Sequence, residues 1–261
     1  MKIGSKDIKM KLKYKIAFVV PRYACGRSGG AEIHCQQLAE KLVLAEHKVS
    51  ILTTTAQDHY SWNNHFKTKR ETINGVTVHR FEINKDRNET RFLSLQSKID
   101  HQIELTFQEE EEWSRNSVNS RDLESFIKEH QDEYDAFIFM QYLFGTTYNC
   151  HSICPEKSLL IPCLHDENFA YLKIFKKMFN NFRGILFNTP PERELAKKIY
   201  DLPQEKTALV SLGFEKLGQI KLSKKLDQKF NFPYLLFVGR REEGKNTPLL
   251  LSYFRAYKKN N

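Results

Sequence analysis

Short apolar runs alternate with longer amphipathic segments over the first 215 residues of the chain. The runs are bounded by polar turns and are too short for helices, so they predict strands. The predicted strands are Lys15–Val20, Lys48–Thr53, Gly75–Phe81, Asp135–Met140, Ser158–Leu164, Gly184–Phe187 and Thr207–Leu212. Apolar residues at helical spacing predict helices over Ala31–Glu46, within 91–131, and over Thr189–Tyr200.

This alternation predicts the fold class, an α/β fold with a doubly wound parallel sheet. Ligands of such sheets bind outside the carboxyl ends of the strands. Three loops, 21–30, 164–168 and 188–191, follow predicted strands and are therefore candidate ligand-binding loops.

The first of these loops ends in a glycine pair, Gly29 and Gly30, directly before the predicted helix that begins at Ala31. The first turn of a helix has unpaired N–H donors and a partial positive charge. Glycine lets an anion or a sugar approach that backbone closely. The alternative is a plain turn that requires two small residues, and the pattern leaves both open.

The alternation stops after residue 215. Residues 216–233 are lysine-rich and weakly periodic, which indicates a linker, and Tyr234–Val238 and Thr247–Lys258 predict one further strand and one further helix. A single strand and helix cannot bury a core. We therefore expect a first domain over 1–215, a linker over 216–233 and the incomplete start of a second domain over 234–261.

The charge of the chain is unevenly distributed. The formal net charge is +9, but 216–261 contains 11 Lys and Arg against 3 Asp and Glu, whereas 1–215 is nearly neutral. We therefore expect no nucleic-acid partner. The apolar run that follows the lysine-rich N-terminus is too short for a signal peptide or a membrane span, which predicts a cytoplasmic protein.

Five cysteines, an odd number, argue against a disulfide framework. Cys150, Cys154, Cys163 and His165 lack the paired spacing of a structural zinc site. We therefore expect buried free thiols and no bound metal.

Several motifs, taken in order, resemble the family 4 glycosyltransferases. They are Gly29-Gly-Ala-Glu32, Leu38-Ala-Glu-Lys-Leu42 with the strand His47–Thr53, Asn74-Gly-Val-Thr-Val-His-Arg-Phe81, His165-Asp166, and Gly239-Arg240 with Lys245. The resemblance runs from about Lys15 to Tyr257. It implies a GT-B architecture, in which a first Rossmann-like domain binds the acceptor and a second binds a nucleotide-sugar donor.

The resemblance also implies roles for individual residues. Gly29, Gly30, Arg240 and Lys245 would bind the donor diphosphate, and the two cations would stabilise the leaving nucleoside diphosphate without a metal or other cofactor. His165 would contact the reacting sugar or the acceptor hydroxyl as the catalytic residue.

One departure concerns the mechanism. Retaining members of the family carry an E-x7-E pair deep in the second domain, and this chain ends before that position. Glu104 and Glu112 have the same spacing but lie in the acidic part of the first domain, where a solvated helix face explains them.

The segment 169–182 has an apolar stripe on one side and lysines on the other. Such a helix packs against a sheet or lies at a membrane surface that holds a lipid-linked acceptor. The second option would place the protein peripherally at the inner face of the membrane.

These observations predict a retaining glycosyltransferase, present as an incomplete and by itself inactive chain, that moves a sugar from a nucleotide-sugar to a glycan or lipid-linked acceptor in polysaccharide biosynthesis. Two alternatives remain: a non-catalytic sugar or nucleotide-sugar binding fragment, and one half of a split enzyme that needs a partner chain.

Overall fold

A computed structural model describes residues 12–24, 29–58, 61–213, 232–239, 241 and 245–260. Contacts between Cα atoms divide the chain into two units, Met1–Gly213 and Phe214–Asn261. Most of the predicted linker, residues 216–231, lies outside the described residues.

The first unit contains eight strands and seven α-helices among its described residues. The strands are β1 (Lys15–Val19), β2 (Lys48–Thr54), β3 (Arg70–Ile73), β4 (Val76–Phe81), β5 (Ala136–Met140), β6 (Ser158–Ile161), β7 (Gly184–Phe187) and β8 (Thr207–Leu209). The helices are α1 (Gly30–Leu44), α2 (Glu89–Asp100), α3 (Phe107–Asn116), α4 (Arg121–His130), α5 (Gly145–Cys150), α6 (Lys173–Asn181) and α7 (Pro190–Tyr200).

The strands form one sheet in the order β3-β4-β2-β1-β5-β6-β7-β8, in which every pair except β3 with β4 is parallel. The parallel strands therefore run outward in both directions from β1, as in a Rossmann sheet. The order reverses between β1 and β5. This is the switch point at which open α/β sheets bind ligands.

Two apolar cores cover the two faces of the sheet. One contains residues of α1, such as Cys35 and Ala39, against Phe18 and Ile51. The other is larger and includes Trp113, Phe137 and Phe175 from α3, β5 and α6. Helices on both faces explain why β5 is apolar throughout.

The edge strand β3 was not predicted. It pairs antiparallel with β4 through a tight turn at Asn74 and Gly75, both with positive φ (50° and 82°). An Asn-Gly pair is a strong hairpin signal because both central residues of such a turn need positive φ. The sequence Arg70–Ile73 is mostly polar and therefore gives no apolar strand pattern. An edge strand does not need to be apolar.

The region 91–131 is helical as predicted and comprises most of α2 and all of α3 and α4. α3 begins at a capping box, in which Thr106 and Glu109 each accept a hydrogen bond from the other's backbone N–H. Ser120 caps α4 in a similar way by accepting from the Leu123 N–H.

The amphipathic segment 169–182 packs against the sheet. The residues of its apolar stripe, Leu172, Phe175, Met178, Phe179 and Phe182, are all buried. The stripe therefore cannot face a bilayer, and the packing alternative is confirmed. No helix of the described residues is long and apolar enough to cross a membrane.

The second unit contains one helix among its described residues, α8 (Thr247–Asn260), close to the predicted bounds. The predicted strand Tyr234–Val238 is wrong, because these residues form no regular secondary structure and Leu235, Leu236 and Val238 are exposed. A strand needs a neighbouring strand for its backbone groups, and the described part of this unit contains none.

Candidate functional site

The candidate site lies at the carboxyl edge of the sheet, around the switch point between β1 and β5. The loop after β1 leads to α1, and the loop after β5 leads to α5. The loop after β6 comes next, because β6 pairs with β5. The loop after β7 lies at the same edge, because β7 pairs parallel with β6. Strand topology alone thus brings all three predicted ligand-binding loops to one edge.

Gly29 and Gly30 start α1 at this edge, and both are exposed. Ile33 is the first helix residue to donate back, to the Gly29 carbonyl at 3.1 Å, so the first-turn N–H groups before it have no partner within the helix. A Cβ on Gly30 would meet no atom of the described residues within 4 Å. Open backbone at a helix start is the arrangement that the anion-binding hypothesis requires.

Gly29 is constrained in a different way. Its φ is −76°, so the position does not depend on the positive φ that glycine permits. A Cβ there would lie 2.7 Å from Glu32 Oε2. Close packing therefore explains the glycine at position 29, as the plain-turn alternative expects. Close packing does not explain the glycine at position 30.

A buried ion pair holds the β1–α1 loop. Arg22 donates from Nε (2.8 Å) and Nη2 (2.6 Å) to Glu32 Oε1, and both side chains are about nine-tenths buried. A third donor, Nη1, reaches the carbonyl of Gln57 at 3.3 Å. The pair was not predicted, although opposite charges in a loop and in the first turn of the next helix are a usable signal.

The loops after β5 and β6 are tied together. The Gln141 N–H donates to Ile161 O (3.0 Å), and the Tyr142 hydroxyl donates to Glu167 Oε1 (2.7 Å). Burial raises the pKa of Tyr142. Gln141 and Cys163 have positive φ (68° and 54°), which is uncommon for residues other than glycine and is concentrated at functional sites.

His165 lies in the loop after β6 and is exposed. β6 is two strands from β1, so the two loops start about 10 Å apart. The neighbouring Asp166 accepts a hydrogen bond from the Tyr171 hydroxyl at 2.7 Å. The structure therefore places His165 at the same edge as the glycine pair and leaves its ring accessible.

A buried polar cluster lies below this edge. The carboxylate of Glu192 accepts from the N–H groups of Leu164 (2.8 Å) and Asn188 (2.7 Å) and so joins the loops after β6 and β7. His34 on α1 lies next to Asn188, and burial lowers the pKa of its ring. Burial raises the pKa of Cys163 to about 12, so its thiol is not activated.

The predicted donor-binding cations fall on the second unit. Arg240 lies outside the described residues, and Lys245 is exposed just before α8. Glu104 and Glu112 form ion pairs with Lys173 and Arg91, as surface glutamates do, although Glu104 precedes α3 and does not belong to a helix face.

The thiols of Cys35, Cys150 and Cys154 are free and buried, and Cys25 lies outside the described residues. Burial raises the pKa of Cys35 and of Cys150. In the described part of the chain, no group of three His, Cys, Asp or Glu side chains could hold a metal ion.

No protein-family model and no curated protein matches the chain. Several solved structures do. A glycosyltransferase from Rickettsia africae ESF-5 matches 85% of this chain and 50% of its own length at 14% identity and a TM-score of 0.47. The trehalose-6-phosphate synthase OtsA matches 82% of this chain and 54% of its own at 12% identity and a TM-score of 0.51. A trehalose-6-phosphate synthase from Burkholderia multivorans matches 72% and 43% at 10% identity and a TM-score of 0.43.

These similarities concern the fold. The match to OtsA, together with the parallel sheet flanked by helices, confirms the predicted Rossmann-like fold of the GT-B type. The chain spans about half the length of the solved structures that it matches.

Proposed function

We propose that this chain is the acceptor-domain part, with the start of the donor domain, of a retaining glycosyltransferase that moves a sugar from a nucleotide-sugar to a glycan or lipid-linked acceptor. The observation that carries the proposal is the open start of α1 at Gly30, at the switch point of a GT-B-type sheet. Open N–H groups at a helix start bind phosphates and polar sugar atoms.

The charge around this helix start supports an anionic ligand. Glu32 alone would repel a diphosphate, but Arg22 forms an ion pair with it within the loop. The partial positive charge of the helix terminus therefore remains the main local field. The pair also holds the loop in place, so that the backbone donors are preorganised.

The proposed chemistry places negative charge on the leaving nucleoside diphosphate as its bond to the sugar breaks. The N–H groups of Gly29 and Gly30 and the side chains of Arg240 and Lys245 would stabilise that charge without a metal. His165, exposed at the same edge as the glycine pair, would contact the reacting sugar or the acceptor hydroxyl.

The second unit supports a requirement for further polypeptide. Leu235, Leu236 and Val238 are exposed, and α8 exposes Leu251 and Tyr253. Apolar surface of this kind is usually covered in an active protein. We therefore expect the chain by itself to bind the diphosphate of the donor at the start of α1 without turning the donor over.

The test is donor binding measured by saturation-transfer NMR with a panel of UDP-glucose, UDP-N-acetylglucosamine, GDP-mannose and ADP-glucose. We expect one of these to bind, and Gly30→Val to abolish binding while the melting temperature stays unchanged, because the valine side chain would fill open space at the helix start. Gly213→Val is the matched control, since a Cβ there also meets no atom of the described part of the chain within 4 Å.

Equal donor binding by the wild type and Gly30→Val would remove the glycine pair from the site, and no binding by the wild type would contradict the proposal. Release of nucleoside diphosphate by the chain alone would contradict the requirement for further polypeptide.

A further inference from the structure

A cavity of about 350 Å³ lies at the carboxyl edge of the sheet, beside the loop that follows β4. Its charged lining consists of three arginines, Arg87, Arg115 and Arg121, and two carboxylates, Asp86 and Glu124, with asparagine side chains between them. It shares no lining residue with the glycine pair or His165.

Arg87 is a partly buried cation that forms no ion pair with a described residue. Its side chain is half-buried, and Nε donates to the Asn116 carbonyl at 3.0 Å. No carboxylate of the described residues lies within 4 Å of its guanidinium. Burial lowers its pKa, which means that the charge is poorly solvated where it stands. The Glu89 carboxylate opposes this shift without forming an ion pair, so the partly buried charge remains costly unless an anion is supplied.

Arg115 supplies a second guanidinium from the last turn of α3. It is exposed, and it has no ion pair or hydrogen bond with any other described residue. Arg87 and Arg115 therefore line the cavity from different elements, and neither forms an ion pair with a described residue.

The third arginine is paired. Arg121 donates to both carboxylate oxygens of Asp86 at 2.9 and 3.0 Å. The lining thus holds three guanidinium groups against two carboxylates, Asp86 and Glu124, so its formal charge is positive.

The walls of the cavity are held by backbone contacts. The Asn84 N–H donates to Asn119 O (3.0 Å), and Asn84 Oδ1 accepts from the Arg121 N–H (3.0 Å). α5 packs against the loop between α3 and α4. A Cβ on Gly145 would lie 2.8 Å from the carbonyl oxygen of Val118 in that loop. The guanidinium groups of Arg87 and Arg115 thus line a space whose walls are already in place.

We propose that this cavity binds the phosphate group of a phosphorylated small molecule of monosaccharide size. A planar carboxylate is matched by a single guanidinium, whereas the three terminal oxygens of a phosphate monoester accept from two. The proposal rests on the geometry of the cavity and does not depend on the proposed glycosyltransferase activity.

The experiment measures binding of inorganic phosphate and of glucose 6-phosphate to the full chain by isothermal titration calorimetry. We expect Arg115→Gln to weaken binding of both about ten-fold, because one charge-assisted contact is lost. The matched control is Arg70→Gln, an exposed arginine on β3 with no ion pair among the described residues. We expect its affinity to stay within roughly two-fold of the wild type.

Asp86→Asn tests the same site by an expected increase in phosphate affinity. It removes a carboxylate from the cavity and releases Arg121, so we expect tighter phosphate binding. A gain of affinity cannot be explained by a folding defect.

Phosphatidylcholine vesicles with and without phosphatidic acid distinguish the source of the phosphate. Binding of glucose 6-phosphate but not of vesicles supports the proposal. If vesicles bind and Arg115→Gln abolishes that binding, the ligand of the cavity is a lipid headgroup and not a small molecule. Equal phosphate affinity in the wild type, Arg115→Gln and Asp86→Asn would overturn the site.

Discussion

Two arginines at the same edge of the sheet, Arg22 and Arg87, are held in opposite ways. Arg22 is almost fully buried and bonded twice to the carboxylate of Glu32. Arg87 is half-buried, donates to one carbonyl and forms no ion pair with a described residue. The difference separates a charge used to build a loop from a charge left available for a ligand.

The largest predicted effect follows from this difference. Arg22→Met removes one partner of the buried pair and leaves the Glu32 carboxylate without its counter-ion, which should cost about 3–5 kcal/mol of unfolding free energy. Arg87→Met leaves no carboxylate unpaired, so we expect a loss of about 1 kcal/mol or less. Urea unfolding of both variants measures the two values.

The double variant Arg22→Met/Glu32→Leu is the control for the first value. It removes both charges, and we expect it to recover much of the lost stability. Equal losses in Arg22→Met and Arg87→Met would show that the two arginines do not differ in the way that their contacts indicate.

The glycine pair gives the second prediction, because it adjoins the buried ion pair. Gly29→Ala places a Cβ 2.7 Å from Glu32 Oε2, so the pair must shift, at a cost of about 1–3 kcal/mol. Gly30→Ala meets open space in the first turn of α1 and should stabilise by about 0.5–1 kcal/mol. Thermal unfolding of the two single variants compares them directly.

The opposite order of stabilities would mean that Glu32 moves freely away from position 29. It would then weaken the claim that the ion pair fixes the loop.

The smallest predicted effect concerns exposed pairs, where a cation has a partner but is also solvated. The Lys98 ammonium and the Thr106 N–H lower the pKa of Glu109 to about 2 from 4.5. A carboxyl whose folded pKa is depressed stabilises the fold above its unfolded pKa, and that contribution is lost as the pH falls from about 4.5 to 2.

We therefore expect Glu109→Gln to be slightly less stable than the wild type at neutral pH and equally stable near pH 2. Urea midpoints across this range measure the difference. Glu111→Gln is the control, since Glu111 forms no ion pair in the described part of α3. If the urea midpoints of Glu109→Gln and the wild type differ by the same amount at all pH values, the effect comes from the capping box and not from the charge of Glu109.

The parallel sheet could be predicted from the sequence because its central strands are buried on both faces and must be apolar. β5 is such a strand, and its bounds differ from the prediction by one residue. β3 and α5 were missed, since neither has a strong apolar pattern of its own. Tyr234–Val238 was predicted from an apolar pattern alone, but the described part of the second unit contains no strand.

The candidate site was only partly predictable. The glycine pair and His165 follow strands in the sequence, so topology alone could place them at one edge. The cavity around Arg87 and Arg115 could not be found in this way. Its residues come from separate helices and loops with no common spacing, and only the packing of α3, α4 and α5 brings them together.

The position of β1 has a consequence for the order in which the molecule folds. β1 pairs with β5 across 120 residues of chain, whereas β3 and β4 pair through a two-residue turn. A hairpin forms in about 1–10 μs, but distant segments must first pay the entropy of closing a long loop. The hairpin can therefore form early, while the switch point between β1 and β5 exists only when the chain is nearly folded. A ligand at that edge would bind only molecules that have completed folding.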